Sequence, residues 1–124
     1  MLYGIAITVK LYKSSPTAEE MEKYENKIRI LIDNPEEYVV FETVDSDDPS
    51  QRGLLYYQMC VDHDEVLRTE LCYGTDNGLQ MLARESTREE AIAILRKIVD
   101  GEDPRGFGGW RDVSQEVFTD DENN

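Results

Sequence analysis

The chain has 124 residues, 40% of them hydrophobic, and carries a formal net charge of −14. That length suits one domain, which buries about two-thirds of its unfolded surface around a core without metal or disulfide staples. No run of eighteen apolar residues occurs, which excludes a membrane-spanning helix, and the acidity disfavours nucleic acid and anionic lipid as partners.

Residues 2–12 alternate, with Tyr3, Ile5, Ile7, Val9 and Leu11 on one face, which predicts a strand. The start, Met1-Leu2-Tyr3-Gly4, lacks a basic n-region and a cleavable apolar stretch, so no signal peptide is expected and the cytoplasm is the expected compartment. Ser14-Ser15-Pro16 breaks the strand, and Thr17-Ala18-Glu19-Glu20 reads as a capping box. Met21, Tyr24, Ile28, Leu31 and Ile32 then recur at helical spacing, until Pro35 disfavours helix at Asn34.

Residues 37–44 read as an interior strand, apolar on both faces. Asp45 to Gly53 carries turn residues throughout. Residues 54–62 and 65–73 form a predicted hairpin with the acidic tip Asp62-His63-Asp64-Glu65, and Asn77-Gly78 favours a tight reversal before a shorter strand, Leu79 to Arg84. Ser86-Thr87-Arg88-Glu89 reads as a second capping box, followed by the stripe Ala91, Ile94, Leu95, Ile98 and Val99, with Gly101 and Pro104 as stop signals. A short strand is expected through Val113. The expected fold is α+β: a single, mainly antiparallel sheet of about five to six strands with two helices packed on one face, in the order β-α-β-β-β-β-α-(β). One globular domain, residues 1–118, and a mobile acidic tail, residues 119–124, are expected.

Charge is uneven along the chain. Residues 1–35 and 77–111 each sum to zero, the tail 112–124 holds −5, and residues 36–76 hold −9. A block of that kind repels phosphate and attracts a basic protein.

Signs of catalysis are sparse. His63, the single histidine, lies between two aspartates at a predicted hairpin tip, where a solvated turn residue is the simpler reading. Cys60 and Cys72 fall on neighbouring predicted strands, so a cross-strand disulfide is geometrically available, although free, buried thiols are expected. The Gly106–Gly109 stretch lacks the preceding strand and following helix of a phosphate cradle. No catalytic residue, metal or cofactor is expected. Tyr56 and Tyr57, adjacent on a strand, must face opposite sides, so one is the more exposed. Trp110 reads first as a core plug.

From Thr17 onward the chain resembles the small immunity proteins of bacterial polymorphic-toxin and contact-dependent inhibition systems. The resemblance lies in a strand, a capped helix of S-x-x-E-A type and a glycine-to-proline turn leading to tryptophan, here Ser86, Glu89, Glu90, Ala91, Gly101, Pro104 and Trp110. It implies a protein without activity of its own that binds and blocks a cognate toxin domain, commonly a nuclease or deaminase.

The expected function is therefore a non-enzymatic acidic inhibitor of a basic protein toxin. The partner-binding residues expected are Glu42, Asp45, Asp47, Asp48, Asp62, Asp64, Glu65 and Glu70, with Tyr56 or Tyr57 as anchors. Other readings are a DNA mimic, which needs acids spaced like phosphates, a small enzyme or small-molecule binder, which needs a concave pocket, and plain solubility. An exposed strand, 2–12 or 79–84, could also pair a homodimer through its edge.

Overall fold

A computed structural model of the protein describes residues 4–11, 16–43 and 53–118. Of the expected loop from Asp45 to Gly53, all but Gly53, the first residue of a strand, lies outside the described residues, as does the tail 119–124.

Among the described residues six strands form one sheet in chain order: β1 (Ile5–Lys10), β2 (Glu37–Glu42), β3 (Gly53–His63), β4 (Val66–Thr75), β5 (Gly78–Ser86) and β6 (Arg111–Asp112). β1 and β2 run parallel, which requires the crossover supplied by helix α1 (Ala18–Arg29). Every later pairing is antiparallel. Helix α2 (Arg88–Val99) follows β5, and a short helix, α3 (Ser114–Phe118), follows β6. The α+β architecture, with a mainly antiparallel sheet, matches the expectation. α3 is an addition to it.

The two long helices begin and end where side chains satisfy the backbone. Thr17 caps α1 and exchanges hydrogen bonds with Glu20, at 3.1 and 2.9 Å. The second capping box is one residue later than the sequence reading. Thr87 is the cap, reciprocated by Glu90 at 3.1 and 2.8 Å. Ser86 is instead the last residue of β5, opposite Leu67, and its hydroxyl meets that of Thr69 at 2.9 Å. At the far end Gly101 takes φ +80, so its N–H reaches Ile98 O and the next N–H reaches Lys97 O, closing α2 as a Schellman turn. Gly4 is also obligatory: a Cβ there would stand 1.8 Å from the carbonyl oxygen of Glu36, which accepts from the N–H of Ile5.

Strand alternation divides the sheet into two faces. One carries Val39, Phe41, Tyr57, Met59, Leu67 and Leu71, buried beneath Ile28 of α1 and Ile94 and Leu95 of α2. The ring of Phe41 stacks on that of Tyr57 and meets Tyr24 edge-on. The opposite face holds a smaller cluster of Cys72, Met81, Ala83 and Val113, flanked by Leu55 and Tyr56. α1 and α2 are clamped by Glu25, whose carboxylate takes two bonds from Arg96 at 2.8 and 3.0 Å and one from Arg29 at 2.9 Å.

The glycine-rich stretch is organised by Arg84 of β5. Its guanidinium donates to Gly108 O at 2.9 Å and to Glu90 at 3.2 Å, and lies 4.6 Å from the Phe107 ring centroid. Trp110 packs against the main core and donates from Nε1 to Pro104 O at 3.1 Å. It is half-buried at the margin of that core.

Candidate functional site

β3 and β4 meet in a two-residue turn, with His63 opposite Val66. Asp64 adopts φ 48, a left-handed conformation that aspartate tolerates better than most residues. Asp62, His63, Asp64 and Glu65 are all exposed. The sheet register then adds a residue that the sequence reading missed. Glu85 of β5 stands opposite Arg68, which stands opposite Cys60, so Glu85 faces the same side near the same end. Its charge acts on the imidazole of His63. Strand alternation marks Glu85 as face-sharing with Arg68 once the β4–β5 register is known, but no short motif signals it.

His63 Nδ1 lies 2.8 Å from Asp62 Oδ2. That hydrogen bond, with the charges of Asp62, Glu85 and Asp64, raises the imidazole above the ordinary histidine value. At the hairpin end three carboxylates, Asp62, Asp64 and Glu85, thus act on one titratable base, with Glu65 in the adjoining turn.

The remaining expected residues separate. Glu42 sits opposite Tyr56 at the other end of the sheet, on the face away from α1 and α2. Tyr56 is half-buried, with Cys72 as its neighbour on β4, and burial followed by Cys72 and Glu70 pushes its phenol well above the usual range. Tyr57 points the other way. It is fully buried and its hydroxyl donates to Ala91 O at 2.9 Å, so it is a core residue and no surface anchor. Glu70 is likewise removed from the surface: it is 5% exposed and accepts from Gln58 at 2.8 Å and from Arg68 at 3.0 Å. Asp45, Asp47 and Asp48 lie outside the described residues. The residues that border them, Thr43 and Gly53, stand at the opposite end of β3 from Asp62. Eleven residues of strand separate those ends by about 33 Å. Among the described residues, acids of the −9 block are therefore divided in space, with Glu42 at one end of β3 and Asp62, Asp64 and Glu65 at the other.

A cross-strand disulfide is ruled out by register. Cys60 lies opposite Arg68 and Cys72 opposite Tyr56, four residues further along, or about 13 Å. Both thiols are free, and burial raises each above its ordinary value, which keeps them protonated rather than nucleophilic. Among the described residues no group of three His, Cys, Asp or Glu is placed to hold a metal ion. No described helix is long and apolar enough to cross a membrane.

A concavity of about 610 Å³ opens at the end of the sheet away from the hairpin, between α1, the C-terminus of α2 and the ends of β1 to β4. Comparison with family models, with curated proteins and with solved structures finds no match.

Proposed function

We propose that this protein is a non-enzymatic acidic inhibitor that binds and neutralises a cognate toxin domain, a nuclease or deaminase with a basic substrate cleft. The observation that supports this reading best is the hairpin end itself. Asp62 of β3, Asp64 and Glu65 of the β3–β4 turn and Glu85 of β5 gather there, and the cationic neighbour, Arg68, is already engaged by Glu70. A projecting cluster of one sign fits a concave basic surface and speeds encounter with it. The half-buried Tyr56, on the face left open by α1 and α2, offers a rigid amphipathic contact farther along β3, about 20 Å from Asp62.

Mimicry of a DNA duplex is disfavoured, because the described exposed acids divide between the ends of β3, Glu42 at one and Asp62, Asp64 and Glu65 at the other, instead of running along one surface at phosphate spacing. The test is capture from a lysate of the native host with the immobilised chain. A basic protein carrying a nuclease or deaminase domain should be retained, and released by high salt. The variant Asp62→Lys, Glu65→Lys, Glu85→Lys, which spares the left-handed turn at Asp64, should fail to retain it. Equal retention by both chains would overturn the electrostatic reading.

A further inference from the structure

β1 stands at the rim of the sheet, with β2 on one side and, among the described residues, no strand on the other. It pairs with β2 from Ile5 to Lys10 without a bulge. Ile5 donates its N–H to Glu36 O at 2.9 Å, and Leu11 donates to Glu42 O at 2.6 Å. In a parallel ladder the backbone groups reach the neighbouring strand at every second residue. The odd-numbered residues therefore bond inward, and Ala6 and Thr8 turn their N–H and C=O groups outward. Both residues are exposed. Natural sheet edges are shielded by proline, charge or a bulge. From Ile5 to Val9, β1 carries none of these, and Ile5 is 60% exposed.

The opposite rim is closed. β6 covers Leu82 and Ala83 of β5. Next to them, Met81 donates its N–H to Ser114 Oγ at 2.8 Å, and its carbonyl accepts from Val113 N–H at 2.9 Å. A chain with one open edge pairs once and stops, which gives a closed two-fold dimer and no fibre.

Charge selects the direction of pairing. Lys10 stands at one end of β1, and Glu36 and Glu37 stand at the other, where Glu37 is the partner of Ile5. Antiparallel pairing of two copies brings Lys10 of each to the acidic end of the other, whereas parallel pairing sets like ends together. β1 also belongs to the stretch 1–35, which sums to zero charge, so two chains of −14 meet there with the least repulsion.

We propose that the chain forms a two-fold dimer by antiparallel pairing of β1 with β1 of a second copy, with Ile7 facing Ile7 at the axis. Ala6 of each copy then exchanges hydrogen bonds with Thr8 of the other, and Ile5 of each is covered by Val9 of the other. Lys10 comes opposite Gly4 of the other copy, which touches Glu36. Centring on Thr8 would instead leave Lys10 over Ala6, away from the acidic end. The acidic hairpin takes no part, so either assignment can fail without the other.

The test is the mass of the full chain by sedimentation over a range of concentrations, with disulfide cross-linking to read the register. The native chain should reach twice its single-chain mass of 14.3 kDa. Thr8→Pro deletes an outward N–H and no bond to β2, so it should keep the single-chain mass throughout, with a cooperative thermal transition as proof of folding. Ile5→Lys, a change at an exposed position, should do the same, and it decides the matter where the proline variant does not fold. On oxidation Ile7→Cys should become a covalent dimer, because facing residues of a non-hydrogen-bonded pair lie about 4.5 Å apart at Cα. Ile5→Cys should not, since its two copies stand about 13 Å apart along the seam. The native thiols, Cys60 of β3 and Cys72 of β4, lie two and three strands from that seam. A single-chain mass for the native protein at every concentration would overturn the proposal and leave the edge to a strand of another protein. A dimer that persists in either folded variant, or cross-linking as strong from Ile5→Cys as from Ile7→Cys, would overturn it too.

Discussion

Glu25 is the residue whose loss should be felt most across the helical layer. Its side chain is 7% exposed, while Arg96 and Arg29 are 60% and 41% exposed, so solvent screens the pair from one side. Glu25→Gln should therefore cost about 1–2 kcal/mol, below the range for a fully buried pair, and denaturant unfolding measures it. The bonds to Arg96, then Arg29, hold the carboxyl below its ordinary value. With the folded value depressed, the contribution is complete above the unfolded carboxylate value and is lost as pH falls through the folded one. Glu25→Gln should accordingly flatten the acid limb of the stability curve, and an unchanged limb would count against the clamp. At His63 the sign is reversed. Its folded value is raised, so its contribution is present below the ordinary histidine value and lost as pH rises through the folded one. Protonation also places a positive charge among Asp62, Asp64 and Glu85. Association with a basic partner should slow as pH falls through that raised value, and His63→Gln should remove the dependence. At Gly4, any side chain would collide with the Glu36 carbonyl at φ +126, so Gly4→Ala should cost about 2 kcal/mol or more by thermal unfolding, through loss of the β1–β2 junction.

The helix starts separate what periodicity can resolve from what it cannot. Ser86 and Glu89, and Thr87 and Glu90, satisfy the same spacing rule, and only the β4–β5 register, which takes Ser86 into the sheet opposite Leu67, decides between them. Glu90→Gln should then cost about 0.5–1 kcal/mol, since it weakens both the cap and the bond to Arg84, whereas exposed Glu89→Gln should stay within about 0.5 kcal/mol. A larger effect at Glu89 would contradict the observed cap. The strands, both long helices and the β-α-β-β-β-β-α order were legible because each long element carries its own period and stop signals. α3 was not, because five residues are too few to display a stripe. Alternation placed Tyr56 and Tyr57 on opposite faces but could not say which was buried. That depends on which side α2 covers, and Ala91 supplies the answer by accepting from Tyr57.

At the scale of the whole molecule, described acids of one sequence block are set far apart, because β3 runs its full length between Glu42 at one end and Asp62 at the other. The candidate site was therefore only half legible. The acidic tip was visible as Asp62, Asp64 and Glu65, while the neutralisation of Glu70 and the arrival of Glu85 follow from strand register, which no local pattern encodes. The cavity beside Tyr73 was invisible in sequence for the same reason: it is assembled from the ends of β3 and β4, α1 and α2. Of the two expected edges for pairing with a second copy, β1 lies at the rim of the sheet, whereas Leu82 and Ala83 of β5 are covered by β6. The most direct measurement is the association rate between the chain and the basic protein it captures, taken against ionic strength. The native chain should associate fast, with a rate that falls steeply as salt rises. Asp62→Lys, Glu65→Lys, Glu85→Lys should associate about tenfold or more slowly, with little dependence on salt. Equal rates and equal salt slopes for the two chains would contradict the assignment of the hairpin end as the docking surface.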